Sequence, residues 1–184
     1  MMPALTRRFI LGGTLAAALA NRAARAEDDA PIPLSALRAL SHRTLFDIPL
    51  VDGKTQITSL ARWHGQPVLI HFWATWCAPC VRELPQLDAF FAANGQTMAI
   101  LPVALKSGKP QQIQDFYRKN GITHLPIYAA EAADVAKSLG GTPLAIPMTV
   151  FLDRQGRRMA EADGPVAWDA PGATNALAHL AKSA

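Results

Sequence analysis

From Val68 to Phe72 the chain is apolar at every position except His71, the pattern of a strand covered on both faces. Such a strand needs helices on both sides of its sheet. One follows at once: Leu84, Leu87, Phe90 and Phe91 recur at helical spacing and Asn94 with Gly95 makes a stop. The predicted helix starts at Cys77 or just after it, so Pro85 falls inside. A proline there has no N–H for the Val81 carbonyl four residues back, which predicts a kink.

The alternation of apolar runs continues to the C-terminus. A strand is predicted over 97–105, then a helix with Pro110 in its first turn, Ile113, Phe116 and Tyr117 on its inner face and Gly121 at its C-cap. "LPIYAA" (125–130) reads as a short extended piece, and 132–139 as a short helix stopped by Gly140 and Gly141. "MTVFLD" and "RRMAEADG" are two extended runs around a turn at Asp153 to Gly156, an antiparallel hairpin, and Pro171 to Lys182 is a final helix. Upstream, "HRTLFDIPLVDGKTQITSL" (42–60) predicts another β-hairpin turning at Asp52 and Gly53, with a short helical or turn segment over 59–64. Together these predict an α/β domain with a mixed sheet and helices on both faces.

The first residues do not belong to that pattern. "LTRRFILGGTLAAALANRAARA" joins Arg7 and Arg8 to an apolar stretch from Phe9 to Ala20 and a small-x-small end at Ala24 to Ala26, which reads as an export signal cleaved before Glu27. Thr6, Arg7, Arg8, Ile10 and Leu11 resemble a twin-arginine signal. An uncleaved membrane anchor is the rival reading, although the apolar run is shorter than the roughly 20 residues of a spanning helix. The expected organisation is therefore an export signal over 1–26, a charged, proline-containing flexible segment over 27–40, and one domain over 41–184. Four of the 18 basic residues and none of the 14 acidic ones lie in the signal. The mature chain is thus charge-balanced, and the net charge of +4 gives no reason to expect a nucleic-acid partner.

Cys77 and Cys80 are the only cysteines of the 184 residues. A zinc site would need a second pair or suitably spaced histidines, and His42, His64, His71, His124 and His179 form no such cluster, so no metal is assigned. Two thiolates can still hold Cu(I), a soft ion, and a copper carrier remains the alternative. A static disulfide would close a loop too small to stabilise much. The position of the pair after a buried strand and at a helix start favours redox chemistry, because free backbone N–H groups and the helix dipole there stabilise a thiolate. Cys77, at the loop edge, is then the nucleophile, and Cys80, one turn on, resolves the mixed disulfide. Pro79 removes a donor between them and stiffens the loop. Trp76 is expected to cover the site, and Trp73, ending the strand, to lie in the core.

"FWATWCAPCVRELP" resembles the active-site segment of the thioredoxin superfamily, and in particular its exported TlpA-like thiol reductases, a branch that serves cytochrome c maturation and oxidase assembly. The resemblance runs from about Leu45 to Leu180. It implies a thioredoxin-like fold with an N-terminal β-hairpin, no cofactor, and a periplasmic protein-disulfide reductase. The partners it implies are the thiols or disulfides of exported proteins, a membrane electron donor and a copper-assembly protein. Within "IPMTVFLDRQG", Pro147 resembles the cis-proline that faces the cysteines, with Ile146 presenting its backbone to an incoming peptide as an added strand. Glu83 resembles an acid of the branch that lies near the cysteines and carries protons for Cys80; a solvated helix residue is the plainer reading. His71 stands where thioredoxin has a buried aspartate. It is either a hydrogen-bonded core residue or a base near Cys80. Asp169 is expected to cap the last helix, with Trp168 packed beneath it.

Overall fold

The strand predicted from the apolar run spans Val68–Trp73 (β5), and all six of its residues are buried. It lies fourth from one edge of an eight-stranded sheet in the computed structural model, which describes residues 30–41, 44, 46–141 and 144–184. The export signal expected over 1–26 lies outside them. In chain order the remaining strands are β1 (Ile32–Pro33), β2 (Arg38–Ala39), β3 (Pro49–Asp52), β4 (Ile57–Ser59), β6 (Ala99–Leu105), β7 (Tyr128–Ala130), β8 (Met148–Leu152), β9 (Arg158–Asp163) and β10 (Val166–Ala167). The sheet runs β2-β9-β8-β5-β6-β7-β3-β4, with β1 and β10 paired apart from it. Only β5-β6 and β6-β7 are parallel in the large sheet; its other pairs are antiparallel.

Because side chains alternate across a strand, β5 feeds two cores. Leu69 and Trp73 face a layer that contains Leu84, Leu87 and Phe90 of α1 (Ala78–Asn94), Ile113 and Tyr117 of α2 (Pro110–Lys119), and Leu177 of α4 (Ala173–Ser183). Val68, Ile70 and Phe72 face the other layer, with Phe46, Leu60 and Val135 of α3 (Ala132–Ser138). Helices thus cover both faces, as the sequence predicts. Trp73 is fully buried and stacks on Tyr117 at 5.5 Å and 17°.

Local chemistry accounts for the element ends. Helix α1 runs from a cap at Cys77 through Pro85 to Asn94, whose Nδ2 donates to the Phe90 carbonyl at 3.0 Å. Gly121, with φ of +70°, follows α2 in the left-handed conformation that suits glycine. The β3-β4 turn comes at Asp52 and Gly53, and Asp52 Oδ1 accepts from the N–H groups of Lys54 and Gln56. The left-handed residue of that turn is Thr55, at φ +62°.

Two expectations are corrected. Residues 31–39 are not a loose lead: β1 pairs with β10, β2 pairs with β9, and Leu34 between them, 1% exposed, joins the core of Trp168 and Leu177. Leu34 is the one fully covered residue of the segment, with Ile32 and Leu37 packed against the same core, too few residues to register as a periodic pattern. Asp169 does not cap the last helix. It is exposed, and the cap is Gly172 at φ +89°, which has no side chain to bond with.

Candidate active site

The loop after β5 brings the cysteines to the head of α1. Cys77 N–H donates to the Ala74 carbonyl at 3.2 Å, closing a tight turn that sets Cys77 as the N-cap. Its Sγ accepts from the Cys80 N–H at 3.3 Å, which answers one of the donors a helix start leaves unpaired. Pro79 lies in the first turn, where a missing N–H costs nothing. Cys77 and Cys80 are joined by a disulfide, with Cα atoms 5.3 Å apart. Cys77 retains 5% exposure and Cys80 has none.

Two segments frame that bond. Ile146 carries its carbonyl oxygen to 3.7 Å from Cys77 Sγ, and the Ile146–Pro147 peptide is cis. On the other side the loop after β6 holds the cysteine turn: Ser107 Oγ accepts from Thr75 N–H at 3.0 Å, and the Lys106 carbonyl accepts from Trp76 Nε1 at 3.2 Å. Trp76 is therefore pinned by its indole while 62% of the residue stays in solvent. It borders the disulfide and does not enclose it. Lys106 also lines a cleft of about 600 Å³ whose far wall includes Ile57, the other large exposed hydrophobic residue among those described.

Below the cysteines, Glu83 is a buried side chain and not a solvated one, at 3% exposure. It lies one turn beyond Cys80 on the same face of α1, the spacing at which helical side chains are neighbours. Its Oε2 accepts from the Val166 N–H at 2.8 Å and from Trp168 Nε1 at 3.0 Å. Its Oε1 lies 3.2 Å from Nε2 of the fully buried His71. His71 Nδ1 in turn meets Thr149 Oγ1 at 3.1 Å, a cross-strand pair set by the β5-β8 register. The structure thus gathers Cys77, Cys80, Glu83, His71, Ile146 and Pro147 at one end of β5. Sequence reading missed Val166 altogether, placed Thr149 only in the segment around Pro147, and gave Trp168 only a packing role. A backbone donor leaves no mark in a sequence.

A second buried acid lies on α1. Asp88 accepts from the N–H groups of Thr123, His124 and Leu125 and from His124 Nδ1 at 2.9 Å. Burial works against its charge, but the His124 side chain and the three N–H groups outweigh it and hold the carboxyl below the usual carboxylate range. Among the described residues no three His, Cys, Asp or Glu side chains gather as metal ligands, and no helix is long and apolar enough to cross a membrane.

Residues 42–157 match the model of the AhpC/TSA family. The chain is 30% identical over 105 residues to sporulation thiol-disulfide oxidoreductase A of Bacillus subtilis, which covers 55% of this chain and 62% of that one. It is also 30% identical over 112 residues to thiol-disulfide oxidoreductase ResA of Geobacillus thermodenitrificans, covering 60% and 62%. The chain thus spans about three fifths of the length of these curated relatives. A solved structure of a secreted thiol-disulfide isomerase from Corynebacterium glutamicum superposes with a TM-score of 0.63 at 24% identity, over 79% of this chain and 90% of the other. The pneumococcal exposed lipoprotein thioredoxin aligns with a TM-score of 0.58 at 20% identity, over 75% and 99%. The fold is thioredoxin-like.

Proposed function

The chain belongs to the AhpC/TSA family, and we propose that it is a thiol-disulfide oxidoreductase whose Cys77 and Cys80 exchange a disulfide with cysteine pairs of other proteins. The observation that carries this reading is the inequality of the two sulfurs at the head of the helix: Cys77, its cap, keeps 5% exposure while Cys80 is fully covered. In the reduced protein, N–H groups at the head of α1 face the Cys77 sulfur and favour its thiolate. That thiolate attacks one sulfur of a partner disulfide, and the partner's other sulfur leaves with the electron pair. Cys80 then attacks Cys77, the mixed disulfide breaks, and the partner departs reduced as the Cys77–Cys80 bond forms. Pro79 keeps the two sulfurs in register. The Ile146 backbone beside Pro147 pairs with the partner strand, Trp76 offers an exposed aromatic surface to it, and Glu83 carries the proton of Cys80.

The direction we assign is reductive, on exported proteins, with a membrane electron donor restoring the dithiol. An oxidising compartment requires such a feed for a reductase to persist. The twin-arginine pattern of residues 6–11 supports export to the periplasm. Cysteine pairs of cytochrome c or of oxidase-assembly proteins are the substrate class this reading favours. No specific observation favours the Cu(I) carrier.

The test is trapping. Cys80→Ser, incubated with a disulfide-bonded cysteine peptide, is expected to accumulate a covalent mixed disulfide at Cys77, and Cys77→Ser to form none and lose turnover. An adduct on Cys77→Ser but not on Cys80→Ser would reverse the roles, and none on either would reject the exchange reading.

A further inference from the structure

The disulfide lies between two surface charges that the exchange steps do not use. At its end of the sheet the strands follow in the order β9, β8, β5 and β6. The register sets Asp163 beside Met148, where β8 begins, and the next residue, Gly164, donates its N–H to the Pro147 carbonyl at 2.9 Å. On the other flank β6 ends at Leu105, and Lys106 follows, the residue whose carbonyl holds the Trp76 indole. Both side chains are exposed, and neither enters an ion pair among the described residues. Asp163 lines a cleft of about 390 Å³ together with Ala145 and Met148; Arg38 and Arg158 line it too, but both give their guanidinium groups to Glu161. Lys106 opens with Lys109 into the cleft of about 600 Å³, whose acidic residues, Glu131 and Asp134, belong to its α3 side. Lys106 has φ of +46°, a left-handed conformation that a residue with a Cβ rarely adopts. A lysine kept at a strained rim position points to a use for its side chain.

We propose that Lys106 and Asp163 determine which partner segments react: they select a polypeptide whose cysteine has acidic residues on one side and basic residues on the other, and so fix the direction in which it crosses the site. The inference rests on the exchange reading of the cysteines. From β9 to β6 there are three strand spacings of about 4.8 Å, roughly 14 Å in all. Four residues of extended chain cover about 13 Å. A partner cysteine seated at Cys77 therefore brings the residues two places before and two places after it toward the two charges. In an extended segment those residues also project from the same face as the cysteine. In the favoured direction the acidic residue meets Lys106 and the basic one meets Asp163. The reversed segment sets like charges together at both ends.

Two short peptides test this. One carries glutamates at the second and third places before a central cysteine and lysines at the same places after it; the other has the reverse order, and each cysteine is capped as its S-methylthio disulfide. The reduced full chain attacks the peptide disulfide through Cys77, Cys80 closes the internal bond, and the peptide thiol and methanethiol are released, so two electrons pass from protein to peptide. At low salt the second-order rate constants of the two peptides are expected to differ by about fivefold, and the difference to fade toward unity at about 0.5 M salt. In the doubly reversed chain, Lys106→Glu with Asp163→Lys, the other peptide is expected to be the faster. Equal rates in the wild type overturn the proposal, as does a preference untouched by salt or a double variant that keeps the wild-type order. Should the double variant not fold, Lys106→Gln and Asp163→Asn decide: each is expected to narrow the difference, and a difference unchanged in both overturns the proposal. If neither peptide reacts with the wild-type protein at all, the exchange reading itself has failed.

Discussion

Helix α1 buries two carboxylates five residues apart, and they are finished differently. Asp88 faces the start of the segment after α2 with its acceptors filled by three backbone N–H groups and a histidine. Glu83 faces the cysteines with one oxygen satisfied and the other left to an imperfect contact with His71. A complete set of donors fixes both the charge and the geometry, so Asp88 acts as a peg for the chain. An incomplete one leaves Glu83 Oε1 buried without a good partner. Within a single helix we read full satisfaction as the mark of a structural carboxylate and the deficit as the mark of the one available for the proposed chemistry.

The comparison breaks most sharply at Glu83. Glu83→Gln keeps an acceptor for Val166 and Trp168 but cannot accept a proton, and is expected to slow disulfide exchange by about a hundredfold while thermal stability stays near wild type. A stopped-flow rate together with a melting curve checks both halves. Asp88→Ala is expected to do the reverse: it strands the N–H groups of residues 123–125 and costs about 2–3 kcal/mol of stability, read by denaturant titration, with exchange by the folded protein unaltered. The acid limb sharpens the contrast. Because the folded carboxyl of Asp88 is held below its unfolded value of about 3.9, its contribution is complete above that pH and is lost as pH falls through the lower folded value. The wild type should therefore lose stability below about pH 4, and Asp88→Ala should show a shallower loss. The smallest effect is expected at Trp76, which touches the site only from outside. Trp76→Ala should raise KM for a protein disulfide by a few-fold, and leave the reaction with a small dithiol unchanged.

Much of this was legible from spacing. The apolar run of β5, the helical period of Leu84, Leu87 and Phe90, and the placement of the cysteines between them need only local pattern, and the structure follows it. What could not be read is what depends on register and on distant backbone. Thr149 meets His71 because β8 pairs antiparallel with β5 at that offset. Val166 and Trp168 reach Glu83 from 83 and 85 residues downstream. Asp88 looks like any polar residue on an amphipathic helix until the chain returns at Thr123. The segment 31–39 failed for a different reason: two-residue strands and one buried leucine are held by partners at the far end of the sequence, and composition alone makes them look free.

The pairing of β1 with β10 has a mechanical side. Ile32 N–H donates to the Pro165 carbonyl at 2.9 Å, and the next residue, Val166, gives its own N–H to Glu83. Any load on the chain ahead of Ile32 is delivered to the peptide group that steadies this carboxylate, before it reaches the central sheet. The residue that pairs with the start of the described chain and the residue that braces the buried acid are neighbours in the sequence.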